Sequence, residues 1–327
     1  MPAKTKHEKP KKGKPQEWII ETRQLTKCYG MVTAIDSLDL KIPYGTVGLL
    51  GPNGAGKSTL IKCLLGLISP TMGTARVLGY DIGTLDTGLD IRQRIGYMPE
   101  SDCLIPDMDA VEHVKYMGEL SGLPPMDALQ RAHEVLHYIG VGDERYRPIK
   151  TYSTGMKQKI KMAQAIVHDP KLVLLDEPTN GMDPKGREEM LELIKDIAHN
   201  YKKNVIFSSH LLPDVEYICD YVVIMSAGHL VIQGTLADLT SASHRYEVRI
   251  KGDPEKFQAL LEQAKIKYEP SGSVFFLEGD EGMVNILYGM VEGTDIQIRH
   301  AAQARRSLED IFVTNITHDE GVVKGGS

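Results

Sequence analysis

The sequence predicts an α/β fold with a mostly parallel central sheet. Two apolar runs, at residues 47–50 and 172–175, carry apolar side chains at successive positions, as strands covered on both faces do. The first run leads through a glycine-rich loop into a helical pattern that begins at Lys57, and the second ends in two acidic residues. Strands that alternate with helices in this way are typical of α/β folds.

The loop after the first apolar run has the spacing G-x-x-x-x-G-K-[ST] of a phosphate-binding loop. Its glycines let successive backbone N–H groups point at phosphate oxygens, and the helix that follows adds its partial positive charge. A chance glycine-rich turn is the alternative, but the flanking strand and helix argue against it. We therefore expect a P-loop NTPase core in which Lys57 reaches the outer phosphates and the Ser58 hydroxyl ligates magnesium. The residues expected to contact the nucleotide are Gly51, Asn53, Gly54, Ala55, Gly56, Lys57, Ser58 and Thr59.

The acidic pair at the end of the second apolar run is the expected second half of this site. A carboxylate at the end of a strand beside a phosphate loop is suited to hold Mg²⁺, which assigns Asp176 to the metal. Glu177 comes one residue later, where it can act as the general base on the attacking water. The alternative, a solvated strand end, is less consistent with an uninterrupted apolar strand.

Further motifs follow in an order that resembles the ATP-binding cassette (ABC) ATPases over about residues 17–240. The segment Ser153-Thr154-Gly155-Met156 occupies the place of the family signature, and Ser208-Ser209-His210 closes another apolar strand. The resemblance implies that Tyr29 stacks on adenine and that His210 contacts the terminal phosphate. It also implies that Asp183 lies in a loop linking the two active sites of a dimer, and that Ser153, Thr154 and Gly155 contact the nucleotide of the partner subunit.

Each of these motifs also has a simpler interpretation. Ser153 and Thr154 have the chemistry of helix caps, because hydroxyl groups accept hydrogen bonds from free N–H groups at a helix start. A single tyrosine such as Tyr29 commonly belongs to the core or the surface, and a histidine such as His210 is commonly a satisfied polar group. Their occurrence together, in order, favours the functional interpretation.

Two departures from the family pattern concern charge and size. Glu100, in the expected loop at residues 96–100, stands where the family commonly has glutamine, and it would bring a negative charge to a metal-ligand position. Thr154 and Met156 stand where glycine and glutamine are commonest. The resemblance places these substitutions in the exporter-type branch of the family.

Composition and charge restrict the function classes. The net charge of −6 argues against general nucleic-acid binding, and the four scattered cysteines suit a reducing compartment. The sequence has no secretory leader and no apolar run of the roughly 18 residues that a membrane helix needs. We expect a cytoplasmic protein, peripheral on the inner face of the membrane, with a separate transmembrane permease as partner.

The domain organisation is expected to have two folded parts and two tails. A nucleotide domain at residues 17–240 contains an antiparallel β subdomain and an inserted helical subdomain at about residues 99–168, and a small α+β domain occupies residues 244–316. The lysine-rich segment 1–16 and the tail 317–327 are expected to be disordered. The basic segment either keeps the chain soluble or attracts anionic lipid beside a membrane partner.

Several element boundaries follow from the hydrophobic pattern. In the nucleotide domain we expect strands at 17–22, 38–42, 205–208, 221–225 and 229–233, and helices at 110–120, 126–139 and 213–219. In the C-terminal domain we expect strands at 246–251, 273–277 and 294–299, and helices at 254–264, 282–291 and 307–312, the last of which resembles the ending of exporter-type ABC ATPases.

The expected function is that of an ATP-hydrolysing subunit of a membrane exporter, with ATP and Mg²⁺ as cofactors. Two subunits, identical or different, would sandwich ATP between the phosphate loop of one and the signature of the other. The alternatives are a soluble ABC ATPase not coupled to transport and a non-hydrolysing ATP-sensing module. The single cassette, the absence of a long coiled-coil insertion and the presence of Glu177 and His210 argue against them. The absence of an N-K-x-D guanine motif argues against a GTPase.

Overall fold

The computed structural model describes residues 18–83, 91–240, 245–279, 282–303 and 308–309. The chain divides into two compact units, with the boundary between Gly234 and Thr235. The predicted tails at residues 1–16 and 317–327 lie outside the described residues, as does most of the predicted last helix at 307–312.

The elements of the described residues follow one another in chain order. The strands are β1 (Ile20–Tyr29), β2 (Val32–Leu38), β3 (Lys41–Ile42), β4 (Thr46–Leu50), β5 (Met72–Val77), β6 (Tyr80–Asp81), β7 (Ile95–Met98), β8 (Leu172–Asp176), β9 (Asn204–Ser209), β10 (Tyr221–Ser226), β11 (His229–Thr235), β12 (Arg245–Lys251), β13 (Tyr268–Ser271), β14 (Val274–Glu278) and β15 (Gln297–Gln303). The helices are α1 (Lys57–Leu64), α2 (Ala110–Leu120), α3 (Pro125–Tyr138), α4 (Thr154–Ile166), α5 (Pro184–His199), α6 (Leu212–Ile218), α7 (Leu236–Thr240), α8 (Pro254–Gln263) and α9 (Met283–Val291).

The centre of the first unit is a six-stranded sheet with the order β11-β10-β4-β9-β8-β7. Strands β10, β4, β9, β8 and β7 pair in parallel. Every residue of β4 and β8 is buried, which explains why these strands appear in the sequence as continuous apolar runs. Because the strands are parallel, the carboxyl ends of β4, β8 and β9 meet at one edge. The predicted α/β fold with a mostly parallel sheet is confirmed.

A second, antiparallel sheet has the order β2-β1-β5-β6, with β3 paired to β1. Two predicted strands had the wrong bounds here. The strand expected at 17–22 begins at Ile20 and continues to Tyr29, and the strand expected at 38–42 is divided between the end of β2 and the short β3. The Thr22 hydroxyl donates to Leu38 O and accepts from Leu40 N, holding this irregular connection. Bulges in β1 between Leu25 and Cys28 interrupt the alternation that would have revealed its full length.

The helices α2, α3 and α4 share an apolar core with members such as Val114, Leu136 and Ile160. Helix α2 has the predicted bounds and begins with a capping box, in which Asp109 accepts from Glu112 N while the Glu112 side chain accepts from Asp109 N. Helix α3 begins one residue earlier than predicted because Pro125 occupies its first turn, where no N–H is needed.

The loop predicted at residues 96–100 is wrong in part, because residues 96–98 belong to strand β7. A Cβ atom at Gly96 would lie 1.9 Å from the backbone oxygen of Ala165, so glycine is required for β7 to pack directly against α4. The glycine that the packing needs is the residue that made this strand look like a loop. Helix α5, which follows Asp183, was not predicted at all, although it buries Met190, Ile194 and Ile197 on one face.

The second unit contains an antiparallel sheet with the order β13-β14-β12-β15 and the helices α8 and α9. Strand β13 was not predicted, and β15 begins three residues later than the predicted strand at 294–299. The core of this unit includes Phe257, Phe275 and Leu277, and the rings of Phe257 and Phe275 meet edge to face at 4.9 Å between centroids. None of the helices in the described residues has the length and apolar character needed to cross a membrane.

Phe275→Ala should destabilise the second unit by about 3–5 kcal/mol, because it leaves a cavity beside Phe257. Amide hydrogen exchange of β12 in the full-length chain measures this loss. Phe276→Ala is the matched control, since Phe276 lies on the other face of β14 and is only half-buried. Equal losses of protection in the two variants would contradict the assigned core.

Candidate nucleotide site

A cleft of about 490 Å³ opens where the parallel strands end and α1 begins. One wall is the phosphate loop from Asn53 to Thr59, and Glu100 and Glu177 also line the cleft. Tyr29 and the β2 residues Val32, Thr33 and Ala34 line it as well. The sequence predictions for the phosphate loop, Tyr29, Glu100 and Glu177 therefore converge on one cavity.

The phosphate loop is shaped by close backbone approaches. Gly56 has φ +97°, and a Cβ atom there would lie 2.5 Å from the backbone oxygen of Ala34. At Gly51 a Cβ atom would lie 2.4 Å from Met225 O. Only glycine fits both positions without a shift of the surrounding backbone. The loop ends at Lys57, the first residue of α1, so free N–H groups of the helix start face the cleft.

Lys57 is the central cation of the cleft, and its ammonium is held by the loop and by an acidic residue. The Nζ atom donates to Gly51 O at 2.7 Å and to Pro52 O at 3.3 Å. It also lies 3.5 Å from Glu177 Oε1, and the two side chains are only 6% and 8% exposed. This buried ion pair joins the phosphate loop to the residue that follows β8.

Glu177 joins Lys57 to His210. Its Oε2 atom lies 2.9 Å from Nδ1 of His210, which is 43% exposed. Its Oε1 atom is buried without a hydrogen-bond partner, so the ion pair with Lys57 is its contact in the protein. Glu177 therefore has a free acceptor capacity inside the cleft, beside the His210 imidazole.

Ser208 at the end of β9 orients both acidic residues. Its hydroxyl donates to Asp176 Oδ1 at 2.7 Å and accepts from Glu177 N at 3.0 Å. Glu177 has φ +51°, a left-handed conformation that costs energy for a residue with a side chain. The Ser208 contact stabilises this turn of the backbone, which aims Glu177 into the cleft while Asp176 stays 2% exposed behind it.

Tyr29 lies at the end of β1 and is 48% exposed. The Nζ atom of Lys27 lies 5.1 Å from the centroid of its ring, which is within the range of a cation–π contact. The other part of the ring surface remains available to a flat ligand at the mouth of the cleft.

Glu100 is held from the side by two residues of other segments. Its Oε1 atom accepts from Asn180 Nδ2 at 3.3 Å, and the Asn180 backbone oxygen accepts from Gln158 Nε2 of α4 at 3.0 Å. The Glu100 backbone oxygen accepts from Lys161 Nζ at 2.9 Å.

Burial lowers the pKa of Lys161, and nearby acidic groups act in the opposite direction. Burial, and then the charge of Asp176, raises the pKa of the neighbouring Tyr97.

The signature residues lie at the start of α4 and are not among the residues that line this cleft. Ser153 is the N-cap and accepts from Met156 N at 3.3 Å, so the helix-cap interpretation of Ser153 is confirmed. Gly155 faces Met182 and Thr154 faces Gly181, so the signature packs against the segment that follows Glu177. Asp183 is exposed at the end of that segment and begins α5.

Four residues that position the site were not predicted as site residues. They are Ser208, Asn180, Gln158 and Lys161. In the sequence, Ser208 appears only as part of the end of an apolar strand. Its position one residue before the end of that strand was the one sign that it could belong to the site. The other three act through contacts between segments far apart in the chain, which no local pattern predicts.

Comparisons with known proteins agree with this geometry. The family model described as ABC transporter matches residues 35–180. The uncharacterised ABC transporter ATP-binding protein YxlF of Bacillus subtilis is 33% identical over 90% of this chain and 98% of its own length. The bacitracin transport ATP-binding protein BcrA of Bacillus licheniformis is 33% identical over 90% of this chain and 96% of its own. The daunorubicin/doxorubicin resistance protein DrrA of Streptomyces peucetius is 36% identical over 91% of this chain and 92% of its own.

Solved structures give the same result. A structure described as the ATP-binding subunit of an ABC transporter is 29% identical, has a TM-score of 0.60, and covers 68% of this chain and 91% of its own. A dimeric ATP-binding cassette bound to ADP and phosphate, 24% identical over 66% of this chain and 98% of its own, has a TM-score of 0.62 and supports the fold. The chain belongs to the ATP-binding proteins of ABC transporters, and it is an ATPase of that family.

Proposed function

We propose that this chain powers export across a membrane by hydrolysing ATP in the cleft between the phosphate loop and Glu177. The observation that supports the proposal is the buried contact of Lys57, the expected phosphate-binding cation, with Glu177, the expected base. The names of BcrA and DrrA, a bacitracin transport protein and a drug resistance protein, support export as the direction. The permease would be a separate membrane-spanning chain, with this subunit peripheral on the inner face.

The phosphate loop would bind the triphosphate through its N–H groups and through Lys57. When phosphate oxygens enter, they compete with Glu177 for the Lys57 ammonium, which frees the carboxylate to accept a proton from water. His210, hydrogen-bonded to Glu177, would orient that carboxylate and contact the terminal phosphate. Tyr29 would stack on the adenine at the mouth of the cleft.

Magnesium would be held by the Ser58 hydroxyl and by Asp176, with Glu100 as a third oxygen donor. Magnesium uses one or two carboxylates and keeps waters and phosphate oxygens as its other ligands. The described residues contain no group of three or more His, Cys, Asp or Glu suited to a metal. When bound, magnesium would neutralise charge on the outer phosphates.

Two ATPase subunits, identical or different, would close over two nucleotides. Ser153, Thr154 and Gly155 support this arrangement because they form a helix N-terminus that does not line its own cleft. Their packing against residues 181–182 connects them to the segment between Glu177 and Asp183. The signature of one subunit would therefore sense the nucleotide of its partner, and Asp183 would lie between the two sites.

Lys57→Ala should strongly reduce the thermal stabilisation that magnesium-ATP gives, because stabilisation follows RT ln(1 + [L]/Kd). The variant also leaves Glu177 buried without its cation, so the ligand-free protein should lose stability. Differential scanning calorimetry with and without magnesium-ATP measures both effects. Lys62→Ala, an exposed lysine of the same helix, is the control. An unchanged shift in Lys57→Ala would place the nucleotide elsewhere.

Glu177→Gln should bind ATP while slowing its hydrolysis by about 10²–10⁴-fold, the contribution of a positioned general base. The variant should accumulate as an ATP-bound dimer, which gel filtration detects. Glu188→Gln removes an exposed carboxylate and should hydrolyse ATP at the normal rate. Normal turnover by Glu177→Gln would remove Glu177 from the role of base.

Gly155→Asp should leave ATP affinity of the monomer intact and abolish dimerisation and hydrolysis, because a carboxylate would face phosphate in a desolvated interface. Gly155→Ala separates size from charge, since a Cβ atom there meets only Met182 Cε at an ordinary 3.6 Å. We expect it to fold normally and to be less impaired than Gly155→Asp. Equilibrium ATP binding, gel filtration and phosphate release measure these properties.

Mixing Gly155→Asp with Lys57→Ala tests whether the site is shared. In the mixed dimer one composite site carries both defects and the other carries neither, so hydrolysis should partly recover. Each variant mixed only with itself should remain inactive. Loss of ATP binding by the Gly155→Asp monomer would show that the signature belongs to its own subunit's pocket.

A further inference from the structure

Lys161 is a buried cation beside the nucleotide cleft that has no part in the function proposed above. It lies on α4, is 4% exposed, and donates from Nζ to the backbone oxygen of Glu100 at 2.9 Å. Burial lowers the pKa of Lys161, and the charges of Asp102, Glu100 and Asp176 act in the opposite direction. These three carboxylates favour the charged ammonium that burial disfavours.

Gln158 lies one helical turn before Lys161, on the same face of α4, and contacts the segment that follows Glu177. The Gln158 side chain donates from Nε2 to the backbone oxygen of Asn180, and the Asn180 side chain in turn donates to the Glu100 carboxylate. Both side chains of α4 are buried, Gln158 at 6% and Lys161 at 4% exposure. Glu100 is therefore fixed through its backbone by Lys161 and through its side chain by Asn180.

The Glu100 carboxylate lines the cleft with Lys57 and Glu177 but forms no ion pair within 4 Å to any residue that the structure describes. A negative charge at this place faces the expected position of the triphosphate and would repel it. Asp176 and Glu177 already supply two carboxylates there. The charge of Glu100 needs an offset, and Lys161 is the buried cation that contacts its backbone.

We propose that Lys161 is a positioning residue that offsets the charge of Glu100, so that a glutamate can face the nucleotide without repelling its phosphates. The proposal rests on the function proposed above, because it assigns Lys161 a part in the same site. The same ammonium has two effects: its positive charge compensates the Glu100 carboxylate, and its hydrogen bond fixes the backbone of Glu100. If the proposal is correct, the need for Lys161 depends on the charge at position 100.

A double-mutant cycle tests this dependence in the full-length chain. Lys161→Met, Glu100→Gln and the double variant are compared by calorimetric titration with ATP, first in EDTA and then with magnesium. Lys161→Met should raise the Kd for ATP in EDTA, because Glu100 then repels the phosphates. The same change in the Glu100→Gln background should have an effect at least about fivefold smaller, the size expected for coupled neighbours. Glu100→Gln alone should bind ATP more tightly in EDTA than the unaltered chain.

Lys159→Met is the matched control, because Lys159 lies on the same helix and pairs with Glu189 at 2.9 Å. Its effect should be the same in both backgrounds. Equal factors for Lys161→Met in both backgrounds would overturn the proposal and leave Lys161 a support of the fold. If Lys161→Met does not fold, recovery of folding in the double variant supports the proposal, and failure of both overturns it.

The Lys57→Ala variant separates this inference from the proposed function. If Lys57→Ala leaves the Kd for ATP unchanged, the assignment of the cleft is wrong. If Lys57→Ala weakens ATP binding but the cycle shows no coupling, the cleft stands and only the role of Lys161 is wrong.

Discussion

The buried contact between Lys57 and Glu177 is the interaction on which the site depends. Both charges are removed from water, and such a pair is stable only while each partner remains in place; removal of one partner of a buried pair costs about 3–5 kcal/mol. The phosphate loop and the end of β8 come from distant parts of the chain, and this contact joins them. It also joins the residue proposed as the base to the residue proposed to bind phosphate, and the proposed function would make nucleotide binding and release of the base one event.

The parallel sheet makes that contact possible. Strands β4, β8 and β9 end at the same edge, which brings Lys57, Asp176 and Ser208 together from three segments of the chain. Ser208 then divides the tasks of the two acidic residues: its hydroxyl donates to Asp176 and supports the left-handed backbone that turns Glu177 into the cleft. Of the two adjacent carboxylates, the one proposed to hold the metal is bonded to Ser208, and the one proposed as the base lines the cleft.

The sequence predicted the parts of the site that depend on local chemistry. The phosphate loop and the acidic strand end carry their function in short motifs with a fixed strand or helix beside them, so their place in one cleft could be anticipated. The contacts that hold Glu100 could not, because Asn180, Gln158 and Lys161 act across distances of tens of residues. Strand β7 was taken for a loop because Gly96, required by the close approach of Ala165, weakens its pattern. Strand β1 was cut short because bulges interrupt its alternation.

In the proposed function, nucleotide phosphate replaces Glu177 as the partner of Lys57. A crystal structure of the unaltered chain with magnesium and a non-hydrolysable ATP analogue tests this exchange. We expect Lys57 Nζ to lie within hydrogen-bond distance of the outer phosphate oxygens, and Glu177 to have left the 3.5 Å ion pair and to face a water molecule. An intact ion pair between Lys57 and Glu177, with the phosphates bound elsewhere in the cleft, would contradict it.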